Sequence, residues 1–523
     1  MAHDNHATDL DEVGINLEPI PHIIVQAPSF DEEISSDQLP QEGLSTKIHR
    51  TNRKKPVTHV DTLDVSSDTS PPVITEHISP NYTVPLRRRI FNSVLGFAKK
   101  LGSGLEHIGI RNATVKTIRF AVRTQCQGLF KERVNSIVIQ TLKIGNDKSI
   151  KLKIYSPLTE PEQANEPRAV LFYIHGNLPF TTVNCYHSFL LHLCKDLSQS
   201  VKTTHVSLVA FDFDRSPEKT FIEILDDCIY VIENFLRGEF ATDFENIGLN
   251  IDRKRIMIAG DAAGATIAFA VALELSKRKL IAFAFVIYST LNSLAISGGD
   301  EFDSDDEKNL PKLHAVILLN PPLQAITTQM FESHVLFLEK NCSVLSHRLG
   351  TVLPYYIGLQ DGLPEYKAAK NMVKAERHIP NETRSRLLRR IFPRYESNST
   401  RSQPEEIPTD FARLVTSTKI WPMLVKNKDL ALLPDMFLQA CCYDTLFDEQ
   451  RLFSKKLRKI CGVRFRFSEI SDATHNECVN NFIGVKTPAS SIAYRETLQY
   501  IIELVDDSPV SSPAPEKSNT VPE

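Results

Sequence analysis

Neither sign of charge dominates this chain. Lys and Arg number 60 and Asp and Glu 64, a formal balance of −4. A phosphate-binding domain normally carries a large positive excess, so there is no electrostatic case for nucleic acid as a partner. Cysteine pairs at metal-ligand spacing are also missing. The nine cysteines are scattered, only Cys441 and Cys442 are adjacent, and no CxxC or Cys/His cluster occurs. No zinc site is expected, and neither a metal nor any other cofactor is implied. An odd count with no framework suits a reducing compartment. Residues 1–25 lack a basic start followed by an apolar core, so no signal peptide is readable. Without one, the five N-x-S/T sequons read as chance.

An apolar run long enough to span a bilayer, about 20 residues, is lacking too. Leu280–Ile296 comes nearest, but it is shorter and holds Ser289, Thr290, Asn292 and Ser293. It reads as a buried or cap-associated insertion over 280–310. The acidic stretch after it has neither the Gly nor the distal Glu of a calcium loop. The expected location is cytoplasmic, at most peripheral to an internal membrane.

What is present is ordinary globular material: 42% hydrophobic and 24% charged residues over 523 positions. Collagen, coiled coil and wholly disordered chain are thereby excluded. Residues 1–84 form a polar, proline-containing extension that cannot bury enough apolar surface to offset its ordering entropy. The tail 507–523 reads the same way, so both termini are expected to be disordered. A helical or cap segment follows at 85–134. Within it, Ile90, Val94, Ala98 and Leu101 recur at helical spacing, flanked by Arg87, Arg88, Arg89, Lys99 and Lys100. Such a helix either packs its stripe on the domain or lies on an anionic membrane through residues 87–101.

From residue 135 strands alternate with helices. Apolar runs predict strands at Ala169–Ile174, Val206–Phe213, Ile256–Ala259, His314–Leu319, Met436–Ala440 and Val463–Phe467. Helical patterns fall at about 217–237, 263–278, 447–460 and 487–505. This alternation predicts an α/β domain over 135–506, a mostly parallel sheet flanked by helices. Four motifs sit at strand ends in a fixed order: His175-Gly176-Asn177-Leu178, then Ser216-Pro217-Glu218, then Gly260-Asp261-Ala262-Ala263-Gly264, then Tyr443-Asp444 with Asp448-Glu449. His475 follows the next strand.

These motifs resemble the α/β-hydrolase fold in its hormone-sensitive lipase-like branch, nearest the arylacetamide deacetylases and neutral cholesterol ester hydrolases. The resemblance covers roughly 115–506. It implies a catalytic triad in the order Ser, Asp, His, with Asp444 and His475 at the last two places and Ala262 at the first. It also implies an elbow of Gly260, Asp261 and Gly264, and oxyanion positions at Gly176, Asn177 and Ala263. Glu218 and Asp227 match residues that brace the elbow. Residues 321–430 match the cap over the acyl pocket, with Phe331, Val335, Phe337, Leu353, Tyr355, Tyr356 and Ile357 as lining. The resembled deacetylases carry an N-terminal membrane span, where this chain has a polar extension.

Two departures matter. A methyl group at 262 has no lone pair and no dissociable proton, so no base can activate it. The family's H-G-G-G loop becomes His175-Gly176-Asn177-Leu178, and side chains there restrict the backbone that stabilises the oxyanion. Ser471, Thr474, Cys441 and Cys442 lie near the other triad residues, but none sits at the elbow. Asp444 alone can also be read as a helix-cap carboxylate and His475 as a surface-loop histidine. The expectation is an inactive relative binding a hydrophobic small molecule or acyl ester. The alternatives are an active carboxylic-ester hydrolase and a scaffold acting through its termini.

Overall fold

A computed structural model of the chain describes residues 86–126, 132–145, 150–159, 166–176, 179–295, 312–323, 417–460, 462–480 and 486–506. The expected extensions at 1–84 and 507–523, most of the expected cap, and Asn177 lie outside these residues.

In chain order the elements are α1 (Leu86–His107), α2 (Ala113–Cys126), β1 (Ile137–Ile144), β2 (Ile150–Pro157), β3 (Arg168–Ile174), α3 (His187–Ser200), β4 (Val206–Phe211), α4 (Phe221–Arg237), α5 (Ala241–Glu245), β5 (Ile251–Asp261), α6 (Ala263–Ala295) and β6 (Ala315–Leu319). After the interval they continue with α7 (Asn427–Leu430), β7 (Asp435–Cys441), α8 (Phe447–Arg458), β8 (Phe465–Ile470), α9 (Glu477–Asn480) and α10 (Pro488–Asp506). The strands form one eight-stranded sheet in the order β1-β2-β4-β3-β5-β6-β7-β8. β1, β2 and β4 pair antiparallel, and every neighbour from β4 to β8 pairs parallel. The mostly parallel sheet matches expectation.

The central strands are buried on both sides, which is why they read as unbroken apolar runs. The pleat divides β3 between two cores. Val170, Phe172 and Ile174 join the layer beneath α4 and α6, while Ala169, Leu171 and Tyr173 join the layer beneath α3 and α10. Ile256 and Ile258 of β5 follow the first set, Met257 and Ala259 the second. α4 begins at a capping box, with Thr220 and Glu223 exchanging side-chain and backbone bonds, and ends at Gly238 in the left-handed region.

Three expectations change. The helix expected to stop near 278 runs on to Ala295, because no proline or glycine interrupts the chain between Gly264 and Gly298. Nearly all of the apolar run Leu280–Ile296, the first half of the insertion expected over 280–310, is therefore helix continuous with the fold. Residues 417–430, counted within the cap region 321–430, belong to the core: Ile420, Trp421, Val425 and Leu430 are buried there, and Trp421 stacks on Phe221 of α4 at 6.4 Å. The hairpin β1–β2, which carries mixed polar and apolar residues, has no counterpart among the expected strands. No helix among the described residues is long and apolar enough to cross a membrane.

Candidate functional site

The parallel strands end together at one edge of the sheet, and the four motifs lie there. β5 turns into α6 at Ala262, the only residue between them. Ala262 has φ +45°, a left-handed conformation that L-residues other than glycine adopt at a cost of about 1–2 kcal/mol. Its N–H donates to Leu319 O (2.8 Å), and its carbonyl accepts from Ala265 N–H (3.0 Å). The bend is held by backbone contact. A Cβ on Gly264 would lie 2.0 Å from Ile174 O, and one on Gly176 would lie 2.5 Å from Asp261 O. No side chain fits at either place, so β3, β5 and α6 meet through bare backbone.

His475 Nδ1 lies 2.6 Å from Asp444 Oδ2, with Asp444 wholly buried and His475 nearly so. With Nδ1–H donated to the carboxylate, neutral His475 carries its lone pair on Nε2. The two loops are also joined by backbone. Tyr443 N–H donates to Ala473 O at 2.8 Å, and Cys442 N–H donates to Ile470 O at 3.0 Å. Leu446 N–H reaches Asp444 Oδ1 at 3.3 Å. A surface-loop reading of His475 is excluded by its burial.

Asp261, next to Ala262, gathers four donors. Tyr173 Oη–H (2.7 Å) and Gly176 N–H (2.9 Å) bond Oδ1, while Asn476 Nδ2–H (2.6 Å) and Tyr186 Oη–H (3.1 Å) bond Oδ2. Burial pushes its carboxyl above the ordinary range, against donors that favour the charged form. One carboxylate thus ties the elbow to the His175–Gly176 loop and to the residue following His475. This corrects one expectation. Gly176, assigned an oxyanion role, gives its N–H to Asp261. Ala263 opens α6, so its N–H is among the first four, which have no intrahelical acceptor. Asn177 lies outside the described residues.

His175 stacks between Phe213 (4.5 Å) and Tyr186 (5.2 Å). Its Nδ1 is 3.0 Å from Gly176 O, and its buried Nε2 has no hydrogen-bond partner. Burial pushes its pKa down to about 4, because a proton on Nε2 would find no acceptor.

The expected braces act elsewhere. Glu218 takes a two-pronged bond from Arg119 of α2, at 2.6 Å on each oxygen. Asp227 pairs with Lys219. Arg119 also donates to Pro179 O and Ser216 O, both at 2.6 Å. It therefore clamps α2 to the loop after Gly176 and to the Ser216–Pro217 turn. The sequence carries no signal for Arg119, Tyr173 or Tyr186, and Asn476 is distinguished there only by following His475. The other hydroxyls and thiols near the dyad are bonded, buried or exposed to solvent. Thr474 Oγ1 donates to Glu477 (2.6 Å), Cys441 Sγ to Asn320 (3.3 Å), and burial pushes both Cys441 and Cys442 thiols up. Ser471 is exposed. No group of three or more metal-ligating side chains occurs among the described residues.

A family profile described as alpha/beta hydrolase fold matches residues 171–364. Human arylacetamide deacetylase-like 4 is 21% identical over 432 residues, covering 78% of this chain and 87% of that protein. Mouse neutral cholesterol ester hydrolase 1 is 22% identical over 368 residues, covering 66% and 77%. Among solved structures, an arylesterase superposes with a TM-score of 0.49 at 15% identity, covering 81% of this chain and 98% of that one. An esterase from Pseudomonas putida superposes at 0.46 with 17% identity, covering 78% and 97%. The sheet order, the strand-to-helix elbow and the profile agree on the α/β-hydrolase fold, and the chain is similar to esterases and lipases of that fold, among them the arylacetamide deacetylase-like proteins and neutral cholesterol ester hydrolases.

Proposed function

We propose that this chain is a ligand-binding member of the family that has lost acyl-transfer chemistry. The observation that carries the proposal is Ala262 at the elbow. The left-handed bend that lifts a nucleophile above the sheet is retained, and its side chain is a methyl group. A triad lacking its nucleophile keeps about 10³–10⁴ over the water reaction through oxyanion donors and binding. That is far below an effective esterase. The engagement of Gly176 N–H by Asp261 supports the same reading, since it removes one candidate oxyanion donor.

The retained His475–Asp444 pair suits binding an oxygen-bearing head group. Neutral His475 accepts from a ligand hydroxyl through Nε2. Protonated, it donates to a carboxylate or ester carbonyl while Asp444 stabilises the cation. The ligand class is accordingly a hydrophobic acid or ester. Calorimetric titration of the full chain with saturated fatty acids and their alkyl esters tests this, beside the His475→Ala variant. The expected result is saturable binding, weakened at least tenfold in His475→Ala, with no product released. Turnover by the wild type at ordinary esterase rates, or no binding of either series, overturns it.

The same pair also supports a second reading, an active carboxylic-ester hydrolase in which His475 activates water directly. The names of the relatives, deacetylase-like and ester hydrolase, favour it. Under that reading the His475→Ala variant loses hydrolysis rather than binding alone.

A further inference from the structure

We propose that α1 docks this protein on an anionic lipid surface through an exposed apolar stripe distinct from the face it packs with. The helix carries two apolar faces. Leu95 and Ala98 are 2% and 7% exposed, buried against α2. Leu86, Ile90, Val94, Phe97 and Leu101 are 63%, 56%, 45%, 70% and 49% exposed. At about 100° per residue, these five fall within an arc of roughly 80°, and the buried pair lies beyond it. Arg89 and Lys100, both exposed, border the arc on its other side. The stripe expected from the sequence, Ile90, Val94, Ala98 and Leu101, is thus divided: Ala98 packs inward and the other three face out.

The outward direction is fixed by the packing beneath. Thr117 Oγ1–H donates to Ala98 O at 2.8 Å, and Thr114 N–H donates to Glu106 Oε1 at 2.8 Å. A Cβ on Gly102 would sit 2.4 Å from Thr114 Cα, so α1 lies directly on α2. α2 in turn buries Val115, Ile118 and Val122 and is clamped by Arg119. Rotating α1 to hide the stripe would break these contacts. Phe120 of α2 is likewise 73% exposed.

Charge selects the occupant. Residues 86–126 hold nine Lys and Arg and one acid, Glu106, in a chain whose formal charge is −4. The positive excess is therefore local; Arg119 is spent on Glu218, while Arg89 and Lys100 stand exposed at the edge of the stripe on α1. That combination of an apolar stripe with flanking cations matches an interfacial helix on anionic lipid.

Flotation of the full chain with vesicles provides the test. Vesicles of phosphatidylcholine with about one-third phosphatidylserine are compared with phosphatidylcholine alone, at about 0.1 M and 1 M salt. Binding is expected to the anionic vesicles at low salt. It should fall more than tenfold in Ile90→Asp/Phe97→Asp and about fivefold for each of Arg89→Gln and Lys100→Gln. Melting temperatures should be unchanged, because none of these side chains is buried. Any of these results overturns the proposal: no flotation with either vesicle; equal binding to neutral and anionic vesicles; binding retained in the double aspartate variant; or a wild-type dimer by light scattering that the double variant dissolves without any vesicle binding. A lowered melting temperature in the double variant also overturns it, since the stripe would then be covered by another part of this chain.

Discussion

Replacing Ala262 by Ser adds one oxygen at the bend between β5 and α6. The backbone already holds φ +45° there, so the hydroxyl enters an elbow that is formed. His475 and Asp444 are joined at 2.6 Å and supply base and orienting acid. Completing a triad is worth up to about 2 × 10⁶ in kcat in a serine protease with a full set of partners. Losing one oxyanion donor takes back about 10²–10³, and Gly176 N–H is engaged by Asp261. The net expectation for Ala262→Ser is a gain of about 10³–10⁴-fold over wild type. Hydrolysis of p-nitrophenyl butyrate is the assay, with a burst in the first turnover marking the acyl-enzyme. A folded Ala262→Ser protein with no burst and no rate gain would refute the reasoning. The elbow, the dyad or the oxyanion site would then be unfit for chemistry for some reason other than the methyl group.

Arg119→Ala should cost about 2–3 kcal/mol in urea unfolding, since it strands Pro179 O and Ser216 O, while Glu218→Ala should cost under about 1 kcal/mol because Glu218 is largely exposed. Equal losses would show that the carbonyl contacts do not matter. Gly264→Ala should leave no soluble folded protein, because its methyl would meet Ile174 O at 2.0 Å; a normal melting curve contradicts the close contact. Stability should also fall with acid. His175 is held near pKa 4 against an ordinary 6.5, so below 6.5 the unfolded chain takes up the proton first. The loss grows to roughly 3 kcal/mol as pH falls to about 4. In His175→Phe, which keeps the ring stack, that part of the slope should vanish; an unchanged slope assigns the acid sensitivity elsewhere.

The parallel strands are legible in the sequence because burial on both faces leaves them continuously apolar, as in Arg168–Ile174 after its first residue. β1 and β2 are not, because Gln140, Thr141, Lys143, Lys151 and Lys153 break the pattern at the sheet's edge. The end of α6 is misread because Lys277, Arg278 and Lys279 look like a helix terminus, whereas only a glycine or proline would compel one. At the site, motif spacing indicates Asp444, His475 and the elbow. It cannot indicate Arg119, which lies 99 positions from Glu218, or Tyr186, which lies 75 positions from Asp261. Nor can it reveal that Gly176 N–H turns toward Asp261. Amphipathicity at 85–102 is plain, but only the packing of Gly102 on Thr114 decides which apolar residues face inward.

The central claim of the proposal is that, among the described residues, the elbow, acid and base at the strand ends come with no side chain placed to attack a carbonyl. Intact-mass spectrometry of the wild-type chain after exposure to excess alkyl fluorophosphonate tests it directly. The account predicts an unmodified mass, beside a single adduct on the introduced hydroxyl in the Ala262→Ser control. An adduct on any side chain of the wild-type cleft, mapped by peptide sequencing, would contradict it.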